Sequence, residues 1–333
     1  MRVLVTGGAG YVGSHCVRAL VAAGHEVCVL DNLSAGHAKA VAPQARLIVG
    51  DLADRVLLDD LFAELRFEAV LHFAAFIEVG QSVLDPLPFY DNNVGNSVRL
   101  LQTMQRHGVK RFVFSSTCAT YGIPPRMPIT EDFAQAPASP YARAKLAVEW
   151  ALTDSAAAWG LGFTALRYFN AAGAAADGTI GEDHDPETHL IPNVLKVALG
   201  QRDCVKVFGT DYPTRDGTCV RDYVHVEDLA SAHLLAIETV APGAARYYNA
   251  GTGHGATVRE VVDVSRSVTG HAIPVVEVER RAGDVPELYA DSTKIRGELG
   301  WKPRFENLVD IVGSAWNWHK NHPNGFDDRP RKA

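Results

Sequence analysis

Val3-Leu4-Val5-Thr6-Gly7-Gly8-Ala9-Gly10-Tyr11-Val12-Gly13 is a short apolar run rich in β-branched residues, followed at once by glycines spaced Gly-x-x-Gly-x-x-Gly. A further apolar stretch over 12–23 stops at Gly24, so the segment reads as strand, loop and helix. Glycines permit a tight turn and let phosphates approach backbone N–H groups at a helix start, where the helix dipole favours anions. The next strand, over 26–30, ends at Asp31. A carboxylate there accepts hydrogen bonds from the ribose of an adenine dinucleotide and disfavours a 2′-phosphate. Gly7, Gly10, Gly13 and Asp31 therefore predict a site for NAD rather than NADP.

The same alternation continues along the chain. Apolar strands over 47–49, 69–73, 111–115 and 162–168 alternate with helical patterns over 55–65 and 92–107 and with the helix that begins near Pro140. This order predicts an α/β fold, a Rossmann-type doubly wound parallel sheet with right-handed crossovers. Asp51 follows the third strand and Phe73-Ala74-Ala75 the fourth, at the carboxyl edge where such sheets bind ligands. Beyond Asn170 the composition shifts to loops rich in Gly, Ala, Asp and His, with shorter elements over 190–199, 227–240 and 258–269. The predicted division is an NAD-binding domain over 1–170, with later segments packing back on it, a smaller α/β substrate-binding domain over 171–325, and a tail over 326–333. A helix over 308–318 is expected to pack on the body, and the chain to fray from Pro323 onward.

With 333 residues, 47% of them hydrophobic, the chain can bury a large core. Its net charge of -7 and scattered basic residues argue against nucleic acid as a partner. No run has the apolar length of a membrane span, and no signal-peptide pattern is present. Five cysteines without C-x-x-C spacing suggest neither a disulfide framework nor a cysteine zinc site, which fits a reduced, cytoplasmic protein.

The run Ser139-Pro140-Tyr141-Ala142-Arg143-Ala144-Lys145 places a phenol and an ammonium four residues apart, on one face if the segment is helical. Pro140 suits a first helical turn. A free tyrosine has a pKa of about 10, and a cation one turn away is expected to lower it and favour the phenolate. Alone, such a pair is a weak signal. The strand over 111–115 adds a third member, because it leads through Ser116 to Thr117 at the carboxyl edge. Thr117 can orient a substrate oxygen, Tyr141 can take its proton, and Lys145 can also reach a nicotinamide ribose.

Together with VTGGAGYVGSH, LDNLS, HFAA, YDNNV, FSSTCATYG, SPYARAKL, LRYFNAAG, GEDHDPETHLIP, VFGTDYPTRDGTCVRDYVHVEDLA and RRAGDVPELYADSTK, these motifs make the chain resemble the extended short-chain dehydrogenase/reductase family. Within it, the resemblance is to the UDP-glucose 4-epimerases and runs nearly end to end. It implies that Tyr11, Val12, Asp31, Asn32, Asp51, Leu52, Phe73, Ala74, Asn92 and Phe169 contact NAD. It places Asn170, His189, Leu190, Lys206, Val207, Phe208, Arg221, Arg281 and Asp284 around a UDP-sugar. The two arginines suit the role, since guanidinium forks match diphosphate oxygens. The resemblance also implies a homodimer built from two paired helices per subunit.

Departures from the pattern sharpen the expectation. Some relatives carry lysine after HFA, where this chain has Ile77. Leu288 falls beside the sugar's C2 substituent, at a position that varies between bulky and small, and predicts use of glucose and galactose nucleotides over N-acetylated ones. A nucleotide-sugar 4,6-dehydratase would need an acidic pair after the threonine, and Cys118-Ala119 stand there instead. Epimerases of UDP-xylose/UDP-arabinose, UDP-GlcNAc or a UDP-uronic acid are the neighbouring alternatives. A non-catalytic NAD-sensing module is the alternative of a different class, disfavoured by the Tyr/Lys pair. The run Glu182-Asp183-His184-Asp185-Pro186-Glu187-Thr188-His189 lacks regular ligand spacing, and Pro186 excludes a helix that would create it, so no metal is expected there.

Overall fold

The computed structural model describes residues 1–281 and 284–328. Its first part runs β1 (Arg2–Thr6), α1 (Tyr11–Ala22), β2 (Glu26–Asp31), β3 (Arg46–Val49), α2 (Arg55–Leu65), β4 (Ala69–His72), α3 (Val79–Leu84), α4 (Leu87–Tyr90), α5 (Asn96–Arg106), β5 (Arg111–Thr117), α6 (Pro140–Trp159) and β6 (Gly162–Tyr168). The second part runs β7 (Asn170–Ala172), α7 (Leu190–Ala198), β8 (Val205–Phe208), β9 (Val220–His225), α8 (Val226–Thr239), β10 (Ala245–Ala250), β11 (Gly255–Thr257), α9 (Val258–Thr269), β12 (Val275–Val278), β13 (Glu287–Leu288), α10 (Thr293–Leu299) and α11 (Leu308–Asn321).

Seven parallel strands form the main sheet in the order β10-β6-β5-β4-β1-β2-β3. Alternation within the strands fills both faces. Val3, Val5 and Val29 join Leu20 and Leu229 on the side of α1 and α8, whereas Leu4 and Leu30 join Phe62, Leu100 and Leu152 on the side of α2, α5 and α6. Period-2 side-chain geometry thus feeds two helical layers from one apolar sheet. In the second part, β9 pairs with β7, β11 and β13, β8 pairs with β12, and α7, α9 and α11 close over another apolar cluster around Leu195, Val261 and Ile311.

Local chemistry sets the boundaries. Asp54 caps α2 through the amides of Val56 and Leu57, Ser139 caps α6 through Ala142 N at 3.2 Å, and α6 ends at Gly160 with φ +75°. The helix predicted over 92–107 begins instead with a π-helix, Asp91–Gly95, before α5. Asn93 explains the wider turn. Its side chain takes the Phe76 amide at 2.8 Å and donates to the Phe76 carbonyl at 2.9 Å, which draws the helix start toward the loop after β4.

The expected fraying from Pro323 is corrected for residues up to 328. Phe326 is buried against His37 and Trp318, and Asp328 meets His37 Nδ1 at 2.5 Å and Lys39 N at 3.1 Å. Apolar burial and a paired carboxylate hold that segment down. The remainder of the expected tail, 329–333, lies outside the described residues.

Candidate functional site

The order of strands reverses between β1 and β4, which opens a crevice at their carboxyl ends. Gly7 turns the chain there with φ +73°, and a Cβ on it would lie 2.5 Å from the Ala74 amide nitrogen. Gly13 sits under the turn, where a Cβ would lie 2.2 Å from the Gly7 carbonyl oxygen. Gly10 differs, since a Cβ on it would meet only that oxygen, 3.4 Å away, so the outer side of the loop is open. No side chain caps α1, leaving Tyr11 and Val12 to begin it behind the Gly10 N-cap. Asp31 accepts from Ala9 N at 3.0 Å and Leu33 N at 2.9 Å, which fixes its carboxylate beside the loop. An uncapped helix start, an open glycine turn and a fixed acid at the end of β2 fit a dinucleotide.

The other predicted cofactor residues lie on neighbouring strand ends. Asn32 donates to Asp51 at 2.7 Å, and Leu52 is buried just beyond. Phe73 packs 4.8 Å from the His233 ring, Ala74 N donates to Thr6 O at 3.1 Å, and Ala75 follows in the same loop. Asn92 lies within the π-helix, and Phe169 is buried after β6. The Tyr11 hydroxyl donates to Gly173 O at 2.7 Å. Ile77, at 41% exposure, offers no charge in this region.

Thr117 ends β5, and Tyr141 stands in the first turn of α6, with its amide donating to Ser82 Oγ at 3.2 Å. Burial pushes the Tyr141 phenol well above its ordinary range, Tyr168 adds to the rise, and the Thr117 hydroxyl works against it. Lys145 has a backbone partner. Its Nζ donates to Ser115 O at 2.8 Å and lies 5.0 Å from the centre of the Phe114 ring, and burial lowers its pKa to about 7. Helical spacing put both groups on one face, but a lysine enclosed by strand β5 finds a backbone oxygen.

Apart from Thr117, the predicted substrate residues lie on the second part. Asn170 Nδ2 donates to Asp222 O at 2.9 Å. Arg221 pairs in register with Leu288, donates to Val220 O at 2.9 Å and Val285 O at 2.7 Å, and lies 3.7 Å from Asp284. On β8, Lys206 is exposed and Val207 buried, while Phe208 carries the Arg281 guanidinium 4.4 Å above its ring. His189 precedes Leu190 at the start of α7. Electrostatics tie the two parts together. Desolvation pushes the half-buried Cys118 thiol up to about 12 against the pull of Arg221, and Glu78 raises both Tyr141 and His189.

Two polar assemblies escape a reading by motif. In the first, Glu149 receives Arg167 Nε at 3.0 Å and Nη2 at 2.6 Å, together with Ser116 at 2.5 Å and Gln135 at 3.0 Å; Arg167 also reaches the Tyr121 hydroxyl at 2.9 Å. A charged residue within the apolar run over 162–168, and a glutamate one turn beyond Lys145, were the available signals. In the second, the loop after Gly181 folds Glu182, His184, Glu187 and His189 together, all nitrogen and oxygen donors within 4.8 Å of one another. Burial opposes charge on His189, but Glu182 outweighs it and raises the imidazole to about 9; burial and the charge of Glu182 raise Glu187.

Residues 3–251 match the family model described as the NAD dependent epimerase/dehydratase family. The chain is 50% identical over 330 residues to a UDP-glucose 4-epimerase of Lacticaseibacillus casei, covering 99% of this chain and 100% of that one. A solved UDP-glucose 4-epimerase superposes with a TM-score of 0.95 at 48% identity, covering 98% of this chain and 100% of that chain. The Bifidobacterium longum UDP-glucose 4-epimerase, solved with NAD+ and UDP, superposes with a TM-score of 0.94 at 39% identity and the same coverage.

Proposed function

Because the chain belongs to the NAD dependent epimerase/dehydratase family, we propose that it interconverts UDP-glucose and UDP-galactose by inverting C4 through a transient 4-keto sugar. What supports this reading is the Thr117 hydroxyl at the end of β5 meeting the Tyr141 phenol from the first turn of α6, in a chain half identical to a UDP-glucose 4-epimerase along its full length.

Gly7, Gly10, Gly13, Tyr11, Val12, Asp31, Asn32, Asp51, Leu52, Phe73, Ala74, Ala75, Asn92 and Phe169 would hold NAD, with Lys145 at its nicotinamide end. Bound NAD supplies the acceptor and later donor of the C4 hydrogen, and a positive charge. Tyr141 takes the proton of the 4-hydroxyl and returns it, while Thr117 holds the same oxygen. Lys145 is anchored on Ser115 O, where its ammonium form would add positive charge to the pocket. Arg221 and Arg281 grip the diphosphate while the keto sugar turns to present its other face, and the reaction needs no net redox. Residues 1–170 thus serve the dinucleotide and 171–325 the nucleotide sugar. Five free cysteines support a cytoplasmic setting, and α5 with α6 is the helical pair that would join two subunits. Among the described residues no helix is long and apolar enough to cross a membrane.

The test is direct. Purified protein given UDP-galactose, with no added cofactor, should form UDP-glucose; absence of product from folded protein refilled with NAD overturns the reading.

A further inference from the structure

We propose that Glu182, His184, Glu187 and His189 form a binding site for one divalent transition-metal ion, with zinc the best match to the donor set. The cluster comes from one loop and the residue preceding α7, and none of its members belongs to the proposed proton-transfer set. His189 Nδ1 lies 2.5 Å from Glu182 Oε1 and 3.7 Å from Glu187 Oε1. His184 Nδ1 lies 3.2 Å from Glu182 Oε1 and 3.9 Å from Glu187 Oε2. Zinc bonds of about 2.0–2.1 Å in tetrahedral arrangement put donors roughly 3.3 Å apart, and these separations bracket that value.

A second observation points to an ion rather than to a self-sufficient polar knot. His184 Nδ1 and Glu187 Oε2 are both buried without a well-formed hydrogen bond, and the Glu187 side chain is only 1% exposed. An enclosed carboxylate oxygen facing an imidazole nitrogen at 3.9 Å is costly unless something sits between them. Two carboxylates balance a dication once the ligating imidazoles have given up their protons to it. Mixed imidazole and carboxylate donors favour zinc and its neighbours over magnesium or calcium, which take oxygen. The orientation is already set, since Glu187 Oε1 accepts the His189 amide at 2.9 Å and the Tyr11 ring meets His184 edge-on at 6.2 Å. The irregular spacing that argued against a metal in the sequence is closed by the loop's own fold. A bound ion would fasten the start of α7 to Tyr11 at the start of α1, linking the substrate side to the glycine loop.

The experiment is a Co2+ titration of chelator-treated protein, refilled with NAD, read by visible absorption and with the fold checked by circular dichroism. One equivalent of Co2+ should give the intense bands of four-coordinate cobalt, and Zn2+ should abolish them. His184→Ala and the isosteric Glu187→Gln should each weaken uptake by at least about tenfold; if His184→Ala fails to fold, Glu187→Gln carries the test. Faint six-coordinate bands, no uptake, or wild-type bands in Glu187→Gln would overturn the assignment.

Discussion

Lys145 Nζ donates to Ser115 O at 2.8 Å, and that bond holds the lysine against the strand beneath the site. Both groups are enclosed, and burial moves them in opposite directions, the Tyr141 phenol up and the Lys145 amine down to about 7. In the protein alone, burial thus favours the uncharged form of both groups.

A pH signature follows from Lys145. Its folded pKa of about 7 lies below the ordinary 10.5, so between those values the unfolded chain binds the extra proton. Stability therefore rises with pH across that window, by up to about 1.4 kcal/mol per unit from this group. Below pH 7 the full destabilisation is present. Melting of nucleotide-free protein should show a steeper rise from pH 7 to 10 in wild type than in Lys145→Met, and parallel curves would contradict the buried amine.

Tyr141→Phe keeps the ring and removes the group proposed to carry the proton. Turnover of UDP-galactose should fall by roughly 10²–10⁴, while the melting temperature and NAD content stay near wild type. Loss of NAD in step with activity would instead make Tyr141 a cofactor contact alone.

Glu149→Gln leaves Arg167 buried with its anionic partner replaced by a neutral amide. The Arg167 guanidinium is raised above its ordinary range, burial opposing and the Glu149 carboxylate more than offsetting it. Breaking such a pair costs roughly 3–5 kcal/mol, measurable as a lower urea midpoint. Replacement at the exposed pair Arg46–Glu64 should change the midpoint little.

Leu288 lies opposite Arg221 in the β9–β13 pairing and is half-buried. Wild type should turn over UDP-GlcNAc poorly beside UDP-glucose, and Leu288→Ser should improve the N-acetylated substrate by about tenfold, a change of about 1.4 kcal/mol. Equal rates on both sugars in wild type would remove Leu288 from the specificity argument.

Much of this architecture is written in local chemistry. The segment Arg55–Leu65 has a capping aspartate before it, and Val3 to Val5 lead into glycines whose placement steric arguments explain one by one. Gly7 and Asp31 were legible for the same reason, since each does something few other residues can do at that point. Long-range partners were not. Arg167 and Glu149 are 18 residues apart in sequence and reveal their pairing only when β6 lies under α6. The π-turn depends on Asn93 finding Phe76, and the four donors of the 182–189 loop converge through loop closure, not through any period in the sequence. The bond of Lys145 to Ser115 O likewise depends on tertiary packing, which helical spacing cannot decide.

Strand β10, at the far side of β6, comes from residues 245–250, some 77 positions after β6 has ended at Tyr168. During synthesis the sheet consequently waits with β6 as an open edge while the entire nucleotide-sugar region up to α8 emerges. A chain cut at 170 would keep its glycine loop and yet present unpaired backbone to its neighbours, a recipe for self-association. For this molecule the order of translation and the order of the sheet disagree, so residues 1–170 do not carry the complete sheet on their own.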